Sequence, residues 1–158
     1  MKPKLMILPA LVIAALALVV SASATAPTSA TLVIRHQLQG CHAWSLNRGP
    51  YVAHQIVRVA RGGSLVVTNN DLMAQELVKA SGPRVRMDLV RQSHMGDMPM
   101  GMTMGKPGPY TMAHMGAKLR VTFTRAGTYR FKLLDRGDYA EVKTKGPDKE
   151  LTLEVVVP

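Results

Sequence analysis

Apolar and polar residues alternate along most of this chain. In Thr31 to Leu38, Leu32, Ile34, His36 and Leu38 fall on one face and Val33, Arg35 and Gln37 on the other, a period of two that predicts a strand. Gly40 to Pro50, bounded by glycine and proline, reads as a loop. Gln55 to Ala60 and Ser64 to Thr68 flank Arg61-Gly62-Gly63 and predict a hairpin. Asn69-Asn70-Asp71 is a polar turn, Glu76 to Ala80 a short strand, and Ser81-Gly82-Pro83 a stop. Later, Leu119, Val121 and Phe123 alternate within Lys118 to Thr124, and Arg125-Ala126-Gly127 turns into Tyr129, Phe131 and Leu133. Asp135 to Lys149 is polar, and Leu151, Leu153, Val155 and Val157 make a last strand. Seven short strands between turn signals, with no convincing helical period, predict an all-β domain: an antiparallel sandwich.

Two stretches fall outside this pattern. The first is the N-terminus, where a basic MKPK is followed by an apolar run from Leu5 to Val20 and then by small residues. That order is a secretory signal, with cleavage expected after Ala24, or after Ala26 as the alternative. The run is short of the roughly 20 residues that span a bilayer, so no transmembrane segment is expected once the signal is removed. Residues 1–24 are therefore read as signal, 25–30 as linker and 31–158 as the domain, in a periplasmic or secreted protein. The second stretch is 92–116, QSHMGDMPMGMTMGKPGPYTMAHMG. It has no period, is longer than ordinary connections, and reads as an inserted functional loop.

The segments GGSLVVTNNDLMAQELVKASGP and GAKLRVTFTRAGTYRFKLL, with the closing strand, resemble the cupredoxin family, most specifically in AGTYRF. The resemblance covers residues 31 to 158 and implies a Greek-key β-sandwich with copper at one end. It also implies a first histidine ligand after the polar turn, and a Cys-x-x-His pair after the GTYxF strand. Here those positions hold Gln75, Leu133 and Arg136. An amide, an isobutyl group and a guanidinium do not make a type 1 copper centre, so electron transfer through one is not carried over.

The chemistry on offer lies elsewhere. Eight of the eleven methionines fall between Met87 and Met115. Met95, Met98, Met100, Met102 and Met104 are interleaved with glycine and proline, and His94 and His114 stand near the two ends. Thioethers are soft, neutral ligands that favour Cu(I) or Ag(I), and because they bind no proton here their affinity falls little in acid. Alternate residues of an extended chain point to one side, about 6.5–7 Å apart, and the glycines let several sulfurs reach one ion. Exported copper-resistance proteins are similar in using segments of this look. Methionine clusters also serve as adaptable packing surfaces, but Met98 to Met104 contains no Leu, Ile, Val or Phe.

Cys41 is the only cysteine, which excludes an intramolecular disulfide. Beside His42 and Trp44 it offers a thiol and an imidazole as soft and borderline ligands; the competing reading makes Cys41 and Trp44 core plugs. If strands alternate up and down, Cys41, His42, Met73, Met112, His114 and Met115 gather at the copper end of the fold. His36 and His54 read as structural. There is no nucleophile motif, phosphate loop or carboxylate pair beside a histidine, so an enzyme is not expected.

The net charge is +10, and the basic residues are scattered rather than clustered. This fits a solvated cationic face with weak attraction to anionic surfaces better than a nucleic-acid groove. The expectation is a copper-binding protein, a carrier, buffer or resistance factor, that meets a copper-donating or copper-accepting protein. The alternative is a metal-free interaction module using the methionine loop as its contact.

Overall fold

The computed structural model describes residues 25–36, 42–91, 103–104, 108–135, 137–138 and 151–158. Among these, every regular element is a strand. One sheet contains β1 (Ser29–His36), β2 (His42–Leu46), β3 (Tyr51–Val52), β5 (Ser64–Asn69), β7 (Arg86–Arg91) and β10 (Lys118–Thr122), in the order β3-β2-β1-β5-β10-β7. The second contains β4 (His54–Arg58), β6 (Gln75–Ser81), β9 (Thr111–Met112), β11 (Gly127–Asp135) and β13 (Leu151–Val157), in the order β4-β13-β11-β6-β9. β8 (Thr103–Met104) and β12 (Gly137–Asp138) pair separately.

The expected alternation builds the core. Leu65 and Val67, Leu119 and Val121, Tyr129 and Phe131, and Leu151, Leu153, Val155 and Val157 are all buried, and join Leu32, Ile34 and Trp44 in one cluster drawn from both sheets. Phe123 packs edge-on against Tyr129 and Phe131, with centroids 5.0 and 6.4 Å away. Apolar inner faces on both sheets and polar residues between them make this an all-β sandwich.

The sheets are mixed rather than wholly antiparallel. β1 runs parallel to β5, and β4 parallel to β13. The expected hairpin of Gln55 to Ala60 with Ser64 to Thr68 is therefore not formed: β4 and β5 lie in different sheets. Gly62 and Gly63 instead carry the chain across the bottom, where Gly62 N–H donates to Phe123 C=O at 2.6 Å and Ser64 N–H to Thr28 C=O at 3.0 Å.

Six strands among the described residues were not expected: β2, β3, β7, β8, β9 and β12. β2 falls inside the stretch read as a loop and pairs with β1 from Leu32–Leu46 to His36–His42. It is held by Asn47, whose N–H donates to Thr31 C=O at 2.8 Å while its Oδ1 accepts from Thr31 N–H at 2.8 Å. Asn47 and Arg48, at φ 48° and 66°, form the left-handed pair of a type I′ hairpin turn into β3. β7 was hidden by its polar composition and by the methionine-rich stretch that follows it. The first strand begins at Ser29, inside the stretch read as linker.

Candidate metal centre

The strand directions give the sandwich two ends of different character. β1, β5, β7 and β11 finish at one end, and β2, β4, β6, β10 and β13 begin there, as their registers require. The chain between β1 and β2, which contains Cys41, leaves and returns at that end. So does the chain between β7 and β9, which contains the methionine run. The β8–β12 pairing sets Met104 opposite Gly137, joining the backbone of that run to the connection between β11 and β13.

Asn69 organises the end. It is fully buried, and its Nδ2 donates to Met73 C=O at 2.8 Å and to Met112 C=O at 3.0 Å. Its Oδ1 accepts from Asp71 N–H at 3.0 Å, and Asp71 Oδ1 in turn accepts from Met73 N–H at 3.1 Å. On the backbone, Asn69 N–H donates to Ala117 C=O at 3.0 Å and its C=O accepts from Gly116 N–H at 2.6 Å. The turn 70–74 and the segment 112–117 are thereby pinned to one another through a single side chain. Asx turns of this kind are local alternatives to regular pairing, which is why Asn and Asp occupy them.

Three soft or borderline ligands lie on these pinned segments: Met73, at 9% exposure, Met112, at 0%, and His114, at 9%. No hydrogen bond to the His114 ring forms among the described residues, whereas the His54 ring shares one of 2.5 Å with Thr152 Oγ1. Asp71 and Glu76 are buried as well: Asp71 caps the Met73 N–H, and Glu76, on the face of β6 opposite to Gln75, sets its carboxylate against Gly108. Met115 is 47% exposed and Leu72 59%, so each of the two pinned segments also presents an apolar side chain to solvent.

Of the predicted site residues, Met112 is part of the hydrophobic core, His114 is buried two residues further on, and Met115 is exposed. His42 is located by its backbone, opposite His36 in the β1–β2 register, and Met104 by its backbone in β8. Cys41, His94, Met95, Met98, Met100 and Met102 lie outside the described residues. Trp44 is a core residue, 0% exposed. No group of three or more His, Cys, Asp or Glu positioned to hold a metal occurs among the described residues, so a centre here would depend on thioethers.

At the positions where the cupredoxin resemblance implies type 1 ligands, Leu133 is buried in the hydrophobic core and Gln75 is an inward amide, 0% exposed. Arg136 lies outside the described residues. The two described side chains do not fit a type 1 centre, which needs a thiolate and imidazoles.

No family model and no curated protein matches this chain. Among solved structures it is similar to a cysteine protease inhibitor from Entamoeba histolytica, at 14% identity over 84% of this chain and 99% of that one, with a TM-score of 0.40. It is also similar to Fet3p, a multicopper oxidase that functions in iron import, at 12% identity over 81% of this chain and 27% of that one, with a TM-score of 0.44. A multicopper oxidase from Pediococcus acidilactici matches at 11% identity over 99% and 31% of the two chains, with a TM-score of 0.37. Multicopper oxidases, with their cupredoxin-like domains, are thus among the structures it resembles, at low identity, and the chain spans less than a third of each.

Proposed function

We propose that this is an exported copper-binding protein that carries, buffers or sequesters Cu(I) at one end of a β-sandwich. The observation that carries the reading is that the Asn69 clamp joins the two backbone segments bearing the buried Met73, Met112 and His114, at the end where the Cys41 and methionine-rich segments leave the sheets. Neutral sulfur donors with an imidazole suit a soft monovalent ion. The exposed Met115 and Leu72 give a copper-donating or copper-accepting protein a surface to dock on.

The test is an anaerobic Cu(I) titration against a chromophoric Cu(I) chelator. Wild type is expected to withdraw copper stoichiometrically. Replacing Met98, Met100, Met102 and Met104 together with Leu is expected to preserve the fold and weaken Cu(I) binding roughly tenfold or more. Equal affinity in that variant removes the loop from the site. A wild type that withdraws no copper sinks the reading.

The exposure of Leu72 and Met115 also favours a second reading, a metal-free module that docks on a partner through this end. Partner binding that persists in a strong chelator and weakens with salt would select it.

A further inference from the structure

Gln75 has a buried amide that the fold leaves unanswered. Its side chain is 0% exposed, and neither Oε1 nor Nε2 has a hydrogen-bond partner among the described residues. Buried polar groups are nearly always paired, and an unpaired one destabilises the fold. A leucine here would carry no such penalty, so the amide needs another explanation.

Its surroundings are specific. Gln75 begins β6 on the inward side shared with Leu77, and its register partner across the sheet is Met112. Directly opposed residues of an antiparallel pair hold their Cβ atoms about 4.5–5.5 Å apart on one face. Met73 lies two residues before Gln75 and His114 two residues after Met112, each 9% exposed. Thioethers donate no hydrogen bond, so Met73 and Met112 cannot satisfy the amide oxygen. A metal ion would accept an amide oxygen, a thioether and an imidazole together.

We infer that Gln75 is a metal ligand: its Oε1, with the Met112 sulfur and the His114 imidazole, forms an inner copper site separate from the Met98–Met104 run. This rests on the copper reading of the same end and extends it. An oxygen and a nitrogen donor beside sulfur make a borderline set, which holds Cu(II) as well as Cu(I), whereas thioethers alone favour Cu(I).

Two readouts on the full-length exported protein test this. In the first, thermal unfolding of metal-free Gln75→Leu is expected several degrees above wild type, because the unpaired amide is gone. In the second, titration with Cu(II) alone is expected to show affinity lowered roughly tenfold or more. His114→Ala, at a buried position outside the hydrophobic cluster, is expected to lower Cu(II) affinity similarly, while the four-methionine variant retains it. The inference is overturned if metal-free Gln75→Leu is less stable than wild type, since an internal water would then be pairing the amide. It is equally overturned if either Gln75→Leu or His114→Ala binds Cu(II) as wild type does. A wild type that takes up neither Cu(I) nor Cu(II) overturns the functional reading as well; one that binds Cu(I) but not Cu(II) overturns only the inner site.

Discussion

Asn69 shows how much one side chain can fix. Its amide donates twice, to the carbonyls of Met73 and Met112, and accepts once, from Asp71 N–H. Aspartate has nearly the same shape but cannot donate. In Asn69→Asp both buried carbonyls lose their partner and face a carboxylate instead, and an unmade buried hydrogen bond costs about 1–3 kcal/mol for each group stranded. The variant is expected to lose at least ~3 kcal/mol of stability, read from chemical denaturation, and its copper affinity should fall as the two pinned segments separate. Stability within ~1 kcal/mol of wild type would show that the clamp does not hold this end together.

Between the two ends of β6 lie roughly 20 Å of strand, with Gln75 at the site end and Gly82 just past the other. Gly82 has φ +102°, and a Cβ there would lie 2.5 Å from Thr128 O and 2.8 Å from Tyr129 Cα. The obstruction is backbone, which cannot swing aside, and the conformation is one that L side chains rarely adopt. Gly82→Ala is expected to cost about 2 kcal/mol or more in denaturation while the folded protein keeps wild-type copper affinity. A parallel loss of affinity would mean that the two ends are coupled through the strand.

At this scale the sequence was most legible where burial is one-sided. Leu119, Val121 and Phe123, or Leu151 to Val157, alternate because one face meets the core, so their strands and inward faces could be read directly. β2 was missed because its turn chemistry lies on both sides: Gly40 and the Asn47–Pro50 run look like one loop when the six residues between them are not weighed as a strand. Trp44 in its centre was the available signal. The hairpin expected at Gly62-Gly63 failed because a period of two tells which face is buried, not which sheet a strand joins; the parallel β1–β5 and β4–β13 pairings are contacts between distant residues. Of the site, Met112 and His114 were legible as ligand types. The unpartnered amide of Gln75 and the Asn69 clamp were not, since both are facts about what lies across the fold.

For the whole molecule, the proposed copper site predicts that copper binding and stability are coupled. Three chain connections, between β1 and β2, β7 and β9, and β11 and β13, depart from the end that carries Met73, Met112 and His114, while the opposite end is tied by backbone bonds such as Ala60 N–H to Pro27 C=O at 2.8 Å. An ion held by ligands from separate segments binds the native state and finds no such set in the unfolded chain, so it stabilises by mass action. At a free concentration a hundred times the dissociation constant the gain is about 2.7 kcal/mol, which for a domain of this size raises the unfolding midpoint by on the order of 10 °C. Anaerobic thermal scans with increasing Cu(I) are therefore expected to shift upward without saturating sharply. Replacing the four methionines Met98, Met100, Met102 and Met104 with Leu should shrink the shift and leave the metal-free midpoint in place. If the midpoint ignores Cu(I) although the titration shows binding, the ion sits on one flexible segment and does not bridge the fold. The copper would then be cargo on a tether, and the Asn69 end only the place where that tether is attached.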